Sequence, residues 1–262
     1  MVIKSLSKTP APLFQFDAVQ STMDEAVQVW LKKKDELLAQ ACGSLLAIIQ
    51  ANEQVAGRGR RGRTWLSPTG GLYVSYLVRV PANHDPKSHQ LSLLTAVALG
   101  KALSEIGVPY TLKWPNDVLI NTQKIAGILI EHVEPGVYCI GVGVNIANTD
   151  GLVDLGYPVS VMEMGAKLTH FLEQQLAQWL QEGFEKIRQF WLEHSWTKKV
   201  SVKVISGDNV HYGCYDGINA EGFLLCTLAN GKQKTFSAAD VSLQQTNQKK
   251  HMLNEDFNDE KK

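Results

Sequence analysis

Ala56-Gly57-Arg58-Gly59-Arg60-Arg61-Gly62-Arg63-Thr64-Trp65 places four arginines and three glycines in ten residues and ends on a tryptophan. Glycine lets backbone N–H groups approach an anion closely, and each guanidinium offers a planar fork matching phosphate or carboxylate oxygens. The stretch predicts a loop that closes over something negatively charged. The alternative is an exposed Arg/Gly patch that binds nucleic acid unselectively. Against it, the run is single, short and enclosed by patterned apolar segments. Just before it, Leu45-Leu46-Ala47-Ile48-Ile49 is a continuous apolar run, expected to form a buried strand that delivers Gln50 to Gln54 into the loop.

Outward from this point the periods alternate. Upstream, Ser21 or Thr22 can cap a helix carrying Asp24 and Glu25 in its first turn and Ala26, Val27, Val29, Trp30 and Leu31 beyond. Downstream, Gly71 to Val80 alternates Leu72, Val74, Tyr76, Val78 and Val80 against Tyr73, Ser75 and Arg79, a strand pattern. Gln90 to Ile106 has helical composition and stops at Gly107, with Pro109 beyond. In Leu112-Lys113-Trp114-Pro115-Asn116-Asp117-Val118-Leu119-Ile120, Pro115 interrupts a strand and sets Asn116 and Asp117 in a turn. Asn121 to Gln123 is expected as a hairpin turn, Lys124 to Glu131 as the return strand, and Tyr138 to Ile146 as another. The GVGVN within it lacks the third glycine and following helix of a dinucleotide fingerprint. Lys167 to about His194 is helical, divided near Gly183, with Leu168, Phe171, Leu172, Leu176, Leu180 and Phe184 as its apolar stripe. Past Lys198 come short strands punctuated by Gly207-Asp208 and Asn230-Gly231, expected to form a small barrel. From Thr246 the chain is polar and charged, and disorder is expected.

A length of 262 residues suits one full domain with a small one appended. The expected divisions are an N-terminal arm over 1–13, a catalytic domain over 14–197, the barrel over 198–245 and a tail over 246–262. Lys plus Arg and Asp plus Glu both total 26, so whole-surface attraction to nucleic acid or anionic membrane is disfavoured. Cys42, Cys139, Cys214 and Cys226 form no CxxC pair, which argues against zinc and against a disulfide framework. No apolar leader or membrane-length run is present, so a cytoplasmic location is expected.

Taken together, GRGRRGRTW, KWPNDVLI, KIAGILIE and GVGVNI, in this order and spacing, closely resemble the biotin–protein ligase family, including the bacterial type also called the biotin operon repressor. The resemblance covers roughly Phe16 to Leu243. It implies an α+β fold: a mixed-sheet catalytic domain related to class II aminoacyl-tRNA synthetases and to biotin–lipoate ligases, followed by a small SH3-like barrel. It also implies the reaction. Biotin carboxylate attacks the α-phosphate of ATP, with Mg²⁺, to give biotinyl-5′-AMP and pyrophosphate. A lysine of the biotin carboxyl carrier protein of acetyl-CoA carboxylase then takes the biotinyl group.

The resemblance assigns residues as follows. Ser21, Thr22 and Gln54 meet the ureido head of biotin, with backbone from Arg58, Gly59 and Arg60, while Trp65 lies along the ring and valeryl chain. Lys124, Arg60 and Arg58 carry the catalytic charge, and Lys124 and Gly127 also line the biotin site. Arg58, Arg60, Arg63, Lys113, Asn116, Asp117 and Asn145 face the nucleotide, with Asp117 nearest the metal. Gly127, Gly141 and Gly143 matter through absent side chains. The family commonly has Ser-Thr-Asn where this chain has Ser21-Thr22-Met23, so an amide contact there is lost or replaced by packing. Repressor members carry a winged helix-turn-helix before the Ser-Thr motif, whereas about twenty residues precede it here, so ligase activity without specific DNA binding is expected. Monomer and homodimer both remain open. Lipoate ligation, a non-enzymatic nucleic-acid binder and a catalytically weakened biotin sensor are the competing functions.

Overall fold

The structure, a computed structural model, describes residues 11–41, 43–82, 88–148 and 150–244. Most of the expected N-terminal arm, Cys42 and the tail from 246 lie outside the described residues. Two compact units are distinguished. One runs to Ser195 and includes Ala220–Gly222; the other takes Trp196–Asn219 and the chain from Phe223 on.

The first unit begins with β1 (Leu13–Val19), α1 (Thr22–Gln40) and β2 (Leu45–Gln54), followed by a 3₁₀ turn at Arg60–Gly62 and β3 (Leu72–Arg79). Then come α2 (Ser88–Glu105), β4 (Thr111–Lys113), β5 (Asp117–Ile120), β6 (Gln123–Glu134) and β7 (Val137–Val144), and finally α3 (Val161–Glu182) and α4 (Glu185–His194). One sheet orders the strands β1-β2-β3-β7-β6-β5-β4. Its β1–β2 pair is parallel and the others are antiparallel, so the sheet is mixed.

α1 covers one face of this sheet. Its Ala26, Val29, Trp30 and Leu37 pack with Ala47, Ile49, Leu77 and Cys139. On the opposite face, the Tyr76 hydroxyl meets Thr169 Oγ1 of α3 at 3.1 Å. α2 lies within that layer; Leu91, Leu94, Val97, Leu99 and Leu103 are all fully buried, so it needs no polar stripe. Ser160 caps α3 by accepting from Glu163 N at 3.1 Å, which starts that helix earlier than Lys167.

β1 forms from a stretch whose alternation is weak; its Phe14 and Phe16 are only partly buried against the α1 core. β3, read as a strand from its alternation, is central and covered on both faces, so Tyr73 and Ser75 are as buried as Val74 and Tyr76.

The second unit holds β8 (Ser201–Ser206), β9 (Asn209–Ile218), β10 (Leu224–Leu228), β11 (Gln233–Phe236) and β12 (Asp240–Leu243). They form an antiparallel sheet ordered β11-β10-β9-β8-β12. The closure expected of a barrel is not seen among the described residues. β11 and β12 are edges of four residues each, with little length for a closing ladder. No helix among the described residues is long and apolar enough to cross a membrane.

Candidate active site

Two groups of side chains meet beside the carboxyl end of β2, where Gln54 meets Thr22 at the start of α1. The first is neutral and polar. Ser21 acts as the helix cap, accepting from Met23 N at 3.3 Å, so its hydroxyl already has a structural task. Thr22 begins α1 and donates from both N (2.9 Å) and Oγ1 (3.1 Å) to Gln54 Oε1. Its Oγ1 also meets Ser75 Oγ at 2.8 Å. Gln54 Nε2 donates to Ser67 Oγ at 2.8 Å, and Ser67 Oγ donates to the Trp65 carbonyl at 3.1 Å. Thr22, Ser67 and Ser75 are each under 5% exposed. This network holds donors and acceptors side by side without a formal charge, the complement of a neutral head group that also has both. Met23 is turned into the α1 core, where a thioether belongs.

The second group is ionic. Lys113 and Asp117 sit opposite each other across the β4–β5 hairpin, and Lys113 Nζ lies 3.1 Å from Asp117 Oδ2. Lys124 Nζ lies 2.7 Å from Asp117 Oδ1. Regular alternation would put Lys124 and Gly127 on opposite faces of β6. The register shifts there, with Leu119 facing Lys124 and Val118 facing Ala126, so Ile125 is an extra residue and Lys124 is re-aimed. Two ammoniums on one nearly buried carboxylate leave net positive charge at this spot. Asn116 Nδ2 donates to the Ile128 carbonyl at 2.7 Å, and its Oδ1 accepts from Arg60 Nη1 at 3.2 Å, fastening the arginine loop to β6.

Trp65 joins the two groups. A Cβ on Gly143 would lie 2.4 Å from its Nε1, and one on Gly127 would lie 3.1 Å from its Cζ3. These glycines are register partners on β6 and β7, so the indole rests on a paired patch without side chains. Lys124 Nζ stands 5.0 Å from the indole centroid. The loop itself is folded back on its stem: Gly59 N donates to Arg63 O (2.7 Å) and Trp65 N to Gly57 O (2.9 Å).

Lys113, Asn116, Asp117, Lys124, Arg60, Trp65 and Gly127 are thus brought together, and Thr22 and Gln54 form the polar end. Asn145 follows β7 and donates from its N to the Ile125 carbonyl at 2.9 Å, beside Lys124; its Oδ1 accepts from Asn148 Nδ2 at 3.1 Å. Arg58 is turned elsewhere. Its guanidinium bonds Asp24 of α1 (2.6 Å) and Glu131 of β6 (3.2 Å), and the bond to Asp24 pushes its pKa up. Arg63 is exposed at the loop's return. Ser67, Ser75, Asp24 and Glu131 were not singled out in the sequence; for the serines the signal was their place flanking Gln54 and Thr22 in space, not in order. Among the described residues no cluster of three or more His, Cys, Asp or Glu could hold a metal ion.

A mixed sheet thus carries the glycine-arginine loop, a neutral polar network and a cationic hairpin at one site, an arrangement suited to an acid with a neutral head. The model of the biotin/lipoate A/B protein ligase family matches residues 16–146, and the chain belongs to that family. The biotin–[acetyl-CoA-carboxylase] ligase of Paracoccus denitrificans is 36% identical over 216 residues, covering 74% of this chain and 89% of that protein. The bifunctional ligase/repressor BirA of Bacillus subtilis is 32% identical, covering 75% of this chain and 66% of that one. Among solved structures, the biotin protein ligase of Aquifex aeolicus in complex with biotin and ATP superposes with a TM-score of 0.75 at 25% identity, covering 90% of this chain and 99% of that chain.

Proposed function

We propose that the protein is an ATP-dependent biotin–protein ligase. It joins biotin to AMP and then passes the biotinyl group to a lysine of the biotin carboxyl carrier protein of acetyl-CoA carboxylase. The observation that carries this is the juxtaposition, across Trp65, of an uncharged donor–acceptor network with the Lys113–Asp117–Lys124 group. Biotin has the same two ends: a neutral urea and a carboxylate. A urea can exchange hydrogen bonds with the Thr22–Gln54–Ser67–Ser75 network whereas the dithiolane of lipoate cannot, which favours biotin within the family.

The first step forces a carboxylate against a polyphosphate. Lys124 neutralises the carboxylate and the α-phosphate oxygens as the new bond forms, and its place is set in advance by Asp117, so the stabilisation grows toward the transition state. Lys113 and Asn145 contact the nucleotide. Arg60 holds the lid to Asn116 and so keeps the adenylate from water and from escape. Arg58 and Arg63 act as lid cations, Arg58 through its anchoring to α1 and β6, with Gly59 and the loop backbone against the ligand. In the second step the incoming lysine attacks the acyl carbon and AMP leaves.

Magnesium belongs to this reaction through the nucleotide. It keeps several waters and is commonly held by one or two carboxylates plus substrate phosphates. Asp117, between Lys113 and Lys124, is the carboxylate that would hold it. When bound, the ion neutralises phosphate charge. The second unit is the family's SH3-like module in this reading, and the protein acts in the cytoplasm.

The test is transfer of radiolabelled biotin to a carrier domain. Label that appears only with ATP supports the assignment. Transfer of lipoate but not biotin, or no transfer at all, refutes it.

A further inference from the structure

The indole of Trp65 is buried at its nitrogen, yet Nε1 has no hydrogen-bond acceptor among the described residues. Indole nitrogen is a donor only, so it cannot be satisfied by another donor nearby. The surrounding polar atoms are otherwise paired. Gln54, Thr22, Ser67 and Ser75 satisfy one another, Asn116 holds Arg60 and Ile128, and Asp117 holds both lysines. An unpaired buried donor destabilises the empty protein, and such groups call for an explanation. The glycine pair beneath it makes this placement possible, because a side chain at Gly143 would push the nitrogen away. Trp191 Nε1 also lacks an acceptor, but its residue is fully buried in the first unit and belongs to neither group of the site.

We propose that the Trp65 N–H is a hydrogen-bond donor held in reserve for an anionic oxygen of the activated acid, the carboxylate or acyl-phosphate oxygen next to Lys124. The inference rests on the ligase reading and adds to it a specific contact. The ammonium of Lys124 stands 5.0 Å from the centroid of the same indole, so an anionic oxygen bonded to the N–H would also lie in the field of that cation. The donor is unemployed in the empty protein and employed in the complex. Its contribution therefore goes to ligand affinity and not to folding, the opposite of a structural tryptophan.

The opposing signs make the test. Two variants are compared with the unaltered protein: Trp65→Phe, and a protein carrying benzothienylalanine at position 65, where sulfur replaces N–H on a ring of the same shape. Binding of biotinyl-5′-AMP is measured by calorimetry and ligand-free melting by scanning calorimetry. The expected result for the isosteric variant is a ligand-free melting temperature equal to or above that of the unaltered protein. Its affinity for biotinyl-5′-AMP falls about tenfold, the value of one well-placed hydrogen bond to a charged group. Trp65→Phe should bind at least as weakly. Undiminished affinity in the isosteric variant overturns the inference while leaving the ligase reading intact. A lower melting temperature with affinity kept overturns it as well, because the N–H would then be serving the fold. Failure of the unaltered protein to bind biotinyl-5′-AMP removes the ligase reading itself.

Discussion

Asp117 puts one carboxylate between two ammonium groups, and the energetic balance of that arrangement defines what each lysine does. With Lys124 removed, Asp117 still has Lys113 and stays paired, so the fold has no uncompensated buried charge. Lys124→Ala is therefore expected to leave the melting temperature within a few degrees. It should slow single-turnover formation of biotinyl-5′-AMP by about 100-fold or more, the usual cost of deleting a donor aimed at developing charge. An unchanged burst rate would remove Lys124 from the chemistry. Arg60 acts differently: its guanidinium donates to Asn116 Oδ1, and that tie joins the lid to β6. Arg60→Gly should therefore loosen the lid with little effect on adenylate formation. Biotinyl-5′-AMP would then be trapped in solution by added carrier protein separated by a membrane. If the intermediate stays enzyme-bound, the lid is held by other contacts.

At the level of elements, the β6–β7 pair does two things that sequence order only half disclosed. The KIAGI motif was legible, and so was its strand. The bulge at Ile125 was not, because nothing in the residue types signals an extra residue where Lys124 must share a face with Gly127. β3 was legible as a strand, but its alternation hid that both faces are covered, so Ser75 went unremarked. A cap at Ser21 or Thr22 was legible and the structure places it at Ser21, whereas the Arg58 attachment to Asp24 and Glu131 depends on three segments far apart in sequence. Gly143→Ala probes the element directly. The added methyl would fall 2.4 Å from Trp65 Nε1, and the indole must leave its seat. A methyl in a strand is otherwise well tolerated. The variant should therefore melt close to the unaltered protein while its biotin affinity, measured by titration, drops about tenfold or more. Equal affinity would show that the indole can sit elsewhere without consequence.

Across the whole molecule the helices and most strands of the first unit followed from changes of hydrophobic period. What did not follow was how groups from α1, β2, β3, β5, β6 and β7 converge, since that depends on sheet order and not on local pattern. The same burial that builds the site sets how the protein responds to alkali. Burial pushes the Tyr73 hydroxyl from 10.0 up to about 12 and the Cys139 thiol from 9.0 up to about 12, and it raises Tyr76 as well. Each group therefore holds its proton in the folded chain after the unfolded chain has lost it. The sign follows from counting protons: the folded state binds more, so stability is complete below about pH 9, where both states are protonated, and is lost as pH rises toward 12. Tyr76 can be isolated from the others. Thr169 Oγ1, which meets the Tyr76 hydroxyl, also donates to the Gly165 carbonyl at 2.8 Å, so Tyr76→Phe leaves no orphaned hydroxyl and should cost about 1 kcal/mol or less at pH 7. Urea midpoints measured from pH 7 to pH 11 are then expected to fall less steeply in Tyr76→Phe than in the unaltered protein, with the two curves converging or crossing at high pH. Ionisation of the lysines is common to both proteins and cancels in the difference. Parallel curves across the whole range would mean that the Tyr76 hydroxyl ionises in the folded state as readily as in water, and the closed layer between β3 and α3 would have to be open to solvent.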